Sequence, residues 1–368
     1  MRILEVSKLY PPFWGGIETV VYDISNLLHK NKYNVDVLCV SSDGTSTFEN
    51  ENGINIYRCA SIAHIASTYI SSEFVNKWKK IRNNYDIIHI HLPNPLALLA
   101  FILYKPNKNI KVIIHWHSDI IKQKILKIPF IPMQNYLLRC CDKIFVTSPI
   151  YSDYSKDLKK YKYKINILPI GIDHSRMLVN NIYLKGMEEK YSGKFIIFSL
   201  GRHVYYKGFD YLIESAKYLP DNYIILIGGE GELTHILQKK IDSLDLNDKV
   251  QLIGKIPPEI LPTYYFFADV FCLPSIERSE AYGVVQLEAM ACGTPVVSTS
   301  IEGSGVPWVN KHNISGLIVS IKNPQALAES FKYLNANPFN KESIVRFFHD
   351  NYTREIMVDR LIKYLKEL

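Results

Sequence analysis

Short apolar runs rich in Ile and Val alternate, along nearly all of the chain, with stretches whose apolar residues recur every three or four positions. Runs at 3–6, 35–40, 86–91, 111–115 and 143–147, and later at 195–199, 223–228, 250–253, 269–273 and 295–298, predict strands. Several are apolar throughout, as strands covered on both faces are. The stretches 17–29, 210–218, 257–267 and 284–292 predict helices. This βαβα alternation predicts an α/β fold of doubly wound parallel sheets. It lapses after Pro169-Ile-Gly-Ile-Asp173, where an irregular polar stretch, 174–193, precedes the next strand. We expect two Rossmann-like domains, 1–170 and 171–368, with the last helix free to pack back on the first. Their strand C-terminal ends would face each other across a ligand cleft.

Composition narrows the class. The 368 residues, 47% apolar and 21% charged, exclude a disordered chain and exceed one ordinary core. The longest apolar run, 96–104, is about half of what crosses a bilayer. The first residues read as a strand, without the n- and h-regions of a signal peptide. Six cysteines (39, 59, 140, 141, 272, 292) form no C-x-x-C pair and read as reduced, buried thiols of a cytosolic protein. Charge is uneven. Residues 1–170 hold 22 Lys and Arg against 13 Asp and Glu, a net +9, whereas 171–368 hold 21 against 23. The first half therefore suits an anionic partner.

Two segments carry candidate chemistry. In Gly201-Arg202-His-Val-Tyr-Tyr-Lys207-Gly208 a strand ends, a glycine lets backbone approach a ligand, and a second glycine opens a helix. Two cations five apart on such a loop can grip a diphosphate; equally, they can be solvated loop charges. In Glu280-Ala-Tyr-Gly-Val-Val-Gln-Leu-Glu288, Glu280 precedes a helix that starts near Gly283, and Glu288 lies inside it among apolar residues. A carboxylate there needs a partner if buried, either ribose or sugar hydroxyls or a structural Arg or Lys.

Arg202-x4-Lys207 followed by Glu280-x7-Glu288 resembles the second domain of the retaining GT-B glycosyltransferases of family four. The resemblance extends over nearly the full chain. Pro11-Pro-Phe-Trp-Gly15-Gly16-Ile-Glu18 is similar to that family's first loop, His115-Trp-His117-Ser-Asp119 to its active-site strand end, and Pro169-Ile-Gly171-Ile-Asp173 to its interdomain segment. Ile227-Gly228-Gly-Glu-Gly231-Glu is similar to its second glycine-rich loop. The resemblance implies that Arg202 and Lys207 hold the donor diphosphate, Glu288 the ribose, and Glu280 hydroxyls of the transferred sugar. Tyr282, Gly283 and Val284 would lie beside that sugar, with backbone N–H groups from the first two. Lys255 and Ile256 would border the nucleobase, Gly16 would bring helix-start amides near the reaction centre, and His117 would sit beside the donor sugar. Ile170 and Tyr282 depart from the family's frequent Asn and Phe. A histidine in an apolar strand is ordinarily a packed residue, but the place of His117 at a strand end favours function. His115, His89 and His91 are read as structural, with at most one of the last two facing the ligand side.

The partners follow. No two aspartates stand two apart, so the Asp-x-Asp metal motif is missing and no essential metal or cofactor is expected. The stretches 120–131 and 74–82 mix basic with large apolar residues, as do surfaces resting on anionic headgroups, and as do ordinary amphipathic helices. Arg278-Ser-Glu-Ala-Tyr-Gly and Gly303-Ser-Gly-Val-Pro-Trp308 resemble a subgroup building O-antigens and capsules on lipid carriers. The expectation is a retaining hexosyltransferase, mannose favoured, moving sugar from a GDP- or UDP-hexose to a polyprenyl-diphosphate-linked saccharide. It would work in the cytoplasm, peripherally on the inner face of the membrane, with no nucleic-acid partner. A nucleotide-sugar epimerase of similar layout and a non-catalytic nucleotide-sugar-binding subunit are the alternatives.

Overall fold

The structure, a computed structural model, describes residues 1–65, 68–119 and 130–368. The chain divides into two compact units, Met1–Gly171 with Arg354–Leu368, and Ile172–Thr353.

In the first unit, β1 (Arg2–Val6), β2 (Asn34–Val40), β3 (Thr47–Glu51) and β4 (Ile54–Cys59) precede a short antiparallel pair, β5 (Ala63–Ile65) and β6 (Thr68–Ile70). Then come β7 (Ile87–Leu92), β8 (Lys111–Trp116), β9 (Lys143–Val146) and β10 (Ile165–Ile167). Eight of these form one sheet in the order β10-β9-β8-β7-β1-β2-β4-β3. Only β3 runs antiparallel to its neighbour. β7 is buried at every position. The helix Gly16–Lys30 follows β1 and buries Val20, Val21, Ile24, Leu27 and Leu28, the spacing of one helical face. Helix Ser72–Ile81, capped by the Ser71 hydroxyl accepting from Phe74 N, buries Phe74, Trp78 and Ile81. The last helix, Arg354–Leu365, belongs to this unit. Arg354 pairs with buried Asp23 at 3.2 Å, and Met357, Val358 and Leu361 are buried.

The second unit holds β11 (Phe195–Leu200), β12 (Tyr223–Gly228), β13 (Val250–Gly254), β14 (Val270–Leu273), β15 (Val296–Thr299) and β16 (Gly316–Val319). They form an all-parallel sheet in the order β13-β12-β11-β14-β15-β16. A core of Ile197, Leu212, Ile225, Ile241, Val270 and Phe331 binds it to helices Phe209–Ser215, Thr234–Ser243 and Pro324–Ala336. Strand order reverses between β11 and β14, so the loops after those strands open a crevice at their C-terminal ends.

The stretch 174–193 is not irregular: Asn181–Lys190 is a helix, capped by Asn180 accepting from the Ile182 and Tyr183 amides. It buries only Met187 and leaves Ile182 exposed, so it shows no apolar periodicity. All six cysteines are free, and five are buried. Among the described residues no helix is long and apolar enough to cross a membrane.

Candidate active site

The reversal point of the second sheet brings the two chemical segments together. Gly208 takes φ +69°, a left-handed turn that leads into helix Phe209–Ser215, and a Cβ there would overlap the Pro274 carbonyl. That contact, with Ile276 N donating to Tyr206 O at 2.8 Å, locks the loop after β11 to the loop after β14. Lys207 Nζ thereby reaches Glu280 Oε2 at 2.6 Å, both side chains about nine-tenths buried. The Ser275 hydroxyl donates to the same oxygen at 3.0 Å. Burial works to lower the Lys207 pKa, but Glu280 and Tyr206 outweigh it and the ammonium ends above its ordinary value. Arg202 is exposed on the same loop, close enough to oppose the Lys207 charge.

Glu288, in helix Val285–Ala291, accepts from the buried Tyr265 hydroxyl at 2.5 Å. Burial raises its pKa, with Tyr265 and Lys207 pulling the other way. Its partner in the protein is thus a tyrosine, which the sequence reading missed. Tyr265 sits in the short aromatic helix Leu261–Phe267, and the sequence gives no spacing that links it to Glu288. Gly283 has φ +73° before helix Val285–Ala291, and buried Tyr282 accepts from Gln286 Nε2 through its carbonyl, with Val284 as N-cap. The Ser304 hydroxyl donates to Glu280 O, and Arg278 Nε to Gly303 O at 2.8 Å, so the 303–308 segment braces the Glu280 loop.

The glycine-rich loop after β12 nests on the same region. A Cβ on Gly229 would overlap the Gly201 carbonyl, and His203 N donates to Glu230 O at 3.0 Å. Ile256 packs over Gly228, its Cδ1 2.7 Å from where a Cβ would stand, while Lys255 is exposed. An open cleft of about 660 Å³ lies beside Gly229, Gly231 and Gly254.

In the first unit, helix Gly16–Lys30 begins directly at Gly16, with open space over that residue, and half-exposed Gly15 as its N-cap. His117 follows β8, its amide bonded to Leu92 O at 3.0 Å, and is buried. The expectation for His89 and His91 is wrong. Residues two apart on a strand share a face, and both rings reach the Glu5 carboxylate of β1, at 3.1 Å (Nδ1 of His89) and 2.8 Å (Nε2 of His91). His91 Nδ1 in turn meets His117 Nε2 at 2.9 Å. His115 stacks on His117, centroids 4.1 Å apart and planes 10° off parallel. His89, His91 and His115 place ring nitrogens within 4.8 Å of one another. The His115 ring lies near parallel to the other two, at 14° and 28°. Burial, with help from neighbouring histidines, pushes His91 down to about 4 and His115 and His117 well below the usual imidazole range. Burial would raise Glu5, yet His89 and His91 bring it down to about 2. Glu5 is an acidic residue inside an apolar strand, the signal by which this cluster was legible. Asp119 is structural: it accepts from Trp116 Nε1 at 2.9 Å and Ser155 Oγ at 2.8 Å.

Residues 14–176 match the model of the family described as Glycosyltransferase Family 4, and 184–347 that of Glycosyl transferases group 1. The chain is 30% identical to O-antigen chain mannosyltransferase C of Escherichia coli, over 98% of this chain and 97% of that protein. It is 28% identical to D-rhamnosyltransferase WbpZ of Pseudomonas aeruginosa, over 94% and 90%. The crystal structure of Anabaena HepE in complex with UDP matches over the full length of both chains with a TM-score of 0.78 at 16% identity, a likeness of fold. Two parallel-sheet α/β units of this kind are the GT-B fold. Matched by family models in both halves and by a mannosyltransferase along nearly its whole length, the chain belongs to the family-four glycosyltransferases.

Proposed function

We propose that this glycosyltransferase moves a hexose, mannose favoured, from a GDP- or UDP-sugar to a polyprenyl-diphosphate-linked saccharide in O-antigen or capsule synthesis, with retention of configuration. The Escherichia coli relative, an O-antigen chain mannosyltransferase, supports the pathway, the Pseudomonas aeruginosa rhamnosyltransferase supports transfer of a hexose-type sugar, and the UDP bound by HepE supports a nucleotide donor. The single observation carrying the reading is the buried Lys207–Glu280 pair at the reversal of the second sheet. The donor diphosphate competes with Glu280 for Lys207, and Arg202 adds a second cation. Glu280, released in part, meets the sugar hydroxyls, and Glu288 meets the ribose. Tyr282, Gly283 and Val284 line the sugar, and Lys255 and Ile256 the base. The first unit takes the acceptor, with Gly16 and His117 turned to the reacting sugar. The bond from the anomeric carbon to the phosphate oxygen breaks as the acceptor oxygen bonds on the same face. The acceptor proton passes to that phosphate oxygen, and Arg202 and Lys207 stabilise the departing charge without an essential metal.

Attachment to the cytoplasmic membrane's inner face is part of the proposal, with a revised surface. Trp78 is fully buried, its Nε1 donating to Tyr104 O at 2.8 Å, and does not reach a bilayer. Ile121 and Leu126, with the basic stretch 120–129, lie outside the described residues. Leu99, Ile102 and Leu103 on helix Pro95–Leu103, and Ile131 and Tyr136 on Ile131–Cys140, are among the exposed apolar residues of this unit and take that part in the proposal.

The test is a screen of nucleotide sugars for thermal stabilisation, followed by NMR of the fresh product made from the best donor. A stabilising GDP- or UDP-hexose and an unchanged anomer are expected; an inverted anomer refutes retention. A new nucleotide sugar formed without acceptor would identify an epimerase.

A further inference from the structure

Glu5, His89, His91 and His115 are buried polar groups that the reaction above does not use, and they surround the one histidine that it does. Their positions follow from register. Glu5 pairs with His89 across β1 and β7, His91 with His115 across β7 and β8, and the period of two sets all of them, with His117, on one side of the sheet.

Hydrogen-bond roles then propagate in one direction. A carboxylate only accepts, so His91 Nε2 donates to Glu5 Oε2. A neutral imidazole with its proton on Nε2 has an acceptor at Nδ1, and that atom faces His117 Nε2 at 2.9 Å. His117 Nε2 must therefore carry the proton, which leaves Nδ1 with a lone pair. The stacked ring of His115 fixes the plane in which that lone pair points.

We propose that His91, anchored by Glu5, is a positioning residue that holds the proton of His117 on Nε2, so that His117 Nδ1 accepts a hydrogen bond from a hydroxyl of the substrate sugar. The proposal rests on the reading that His117 meets the donor sugar. A fixed lone pair selects a hydroxyl and repels phosphate or carboxylate. A neutral ring also places no cation beside the positive charge that develops at the anomeric carbon. His91 is thereby moved from a packed strand residue to one that sets the chemistry of its neighbour.

The decisive measurement is the tautomer of His117 in the full-length protein. Long-range ¹H–¹⁵N correlation spectra of ¹⁵N-histidine-labelled protein, with His117 assigned by its loss in His117→Ala, should show the proton on Nε2. A proton on Nδ1 overturns the proposal, and this readout needs no variant at position 91. His91→Phe should lower kcat by about tenfold or more, as loss of an imidazole's orienting partner does elsewhere, with little change in donor KM. His91→Asn, whose Oδ1 stands near the lost Nδ1, should recover most of that turnover and the Nε2–H signal. Wild-type kcat in folded His91→Phe also overturns the proposal. The underlying reading fails separately: if His117→Ala turns over normally, His117 does not meet the sugar, whatever its tautomer.

Discussion

Lys207→Met tests whether the clamp residue is also a structural one. The side chain keeps its length and loses its charge, leaving the Glu280 carboxylate about nine-tenths buried with the Ser275 hydroxyl but no counter-ion. Removing one partner of a buried pair costs about 3–5 kcal/mol, and the residual tenth of exposure puts this pair near about 3. For a unit of this size, that lowers the melting temperature by roughly 6–12 °C. Glu280→Gln alone strands the ammonium instead and should cost a similar amount. In the double variant Lys207→Met/Glu280→Gln neither charge remains, and stability should return to within about 1 kcal/mol of wild type. Urea denaturation of the four proteins closes the cycle, and calorimetry with the bare nucleoside diphosphate adds binding. Both variants carrying Lys207→Met should bind the diphosphate poorly, because charge repair restores the fold and not the cation. Additive losses in the double variant would refute the coupling. Undiminished diphosphate binding would refute the clamp.

Other predictions address the remaining groups. Glu288→Gln should weaken binding of the bare nucleotide, whereas Glu280→Gln should chiefly impair sugar transfer, and calorimetry showing equal nucleotide loss in both would undo that division. Stability should fall as pH drops below about 6.5, because His91 (held near 4), His115 and His117 stay neutral when folded and take protons when unfolded. Each contributes up to about 1.4 kcal/mol per pH unit, and Glu5, held near 2, loses its stabilising contribution below about 4.5. His115→Phe should flatten the slope by about one proton, and urea midpoints equal at pH 7 and 5 would contradict this. Anionic vesicles should sediment the protein at low salt and release part of it at high salt, since charge attraction fades within about 8 Å at physiological ionic strength. Equal, negligible binding to neutral and anionic vesicles at low salt would remove the membrane from the picture.

What the sequence showed and hid follows from where each signal originates. Strands such as β7 and β12 are buried at every position, and their apolar runs announce them. β3 (Thr-Phe-Glu-Asn-Glu) is an exposed edge, and helix Asn181–Lys190 buries one residue, so neither leaves an apolar pattern. Spacing named Lys207 and Glu280 but not their union, because nothing local says that the loops after β11 and β14 meet. That needs the strand order. The Glu5–His91–His117 chain was within reach, since period two places His89 and His91 on one face, and Glu5 stands out in an apolar strand. Tyr265 was beyond reach, because one more aromatic in an aromatic helix carries no mark.

The chain leaves the first unit at Gly171 and returns to it at Arg354, and the two crossings lie side by side where Ile172 N donates to Tyr352 O at 2.9 Å. During synthesis, the second unit can finish folding while the first still lacks its closing helix. Asp23, buried in the helix after β1, waits for Arg354, which emerges more than three hundred residues later. The first unit is thus the earliest to leave the ribosome and the last to be completed. A stop codon at the start of helix Arg354–Leu365 would damage the unit that was translated first, and leave intact the one translated just before it.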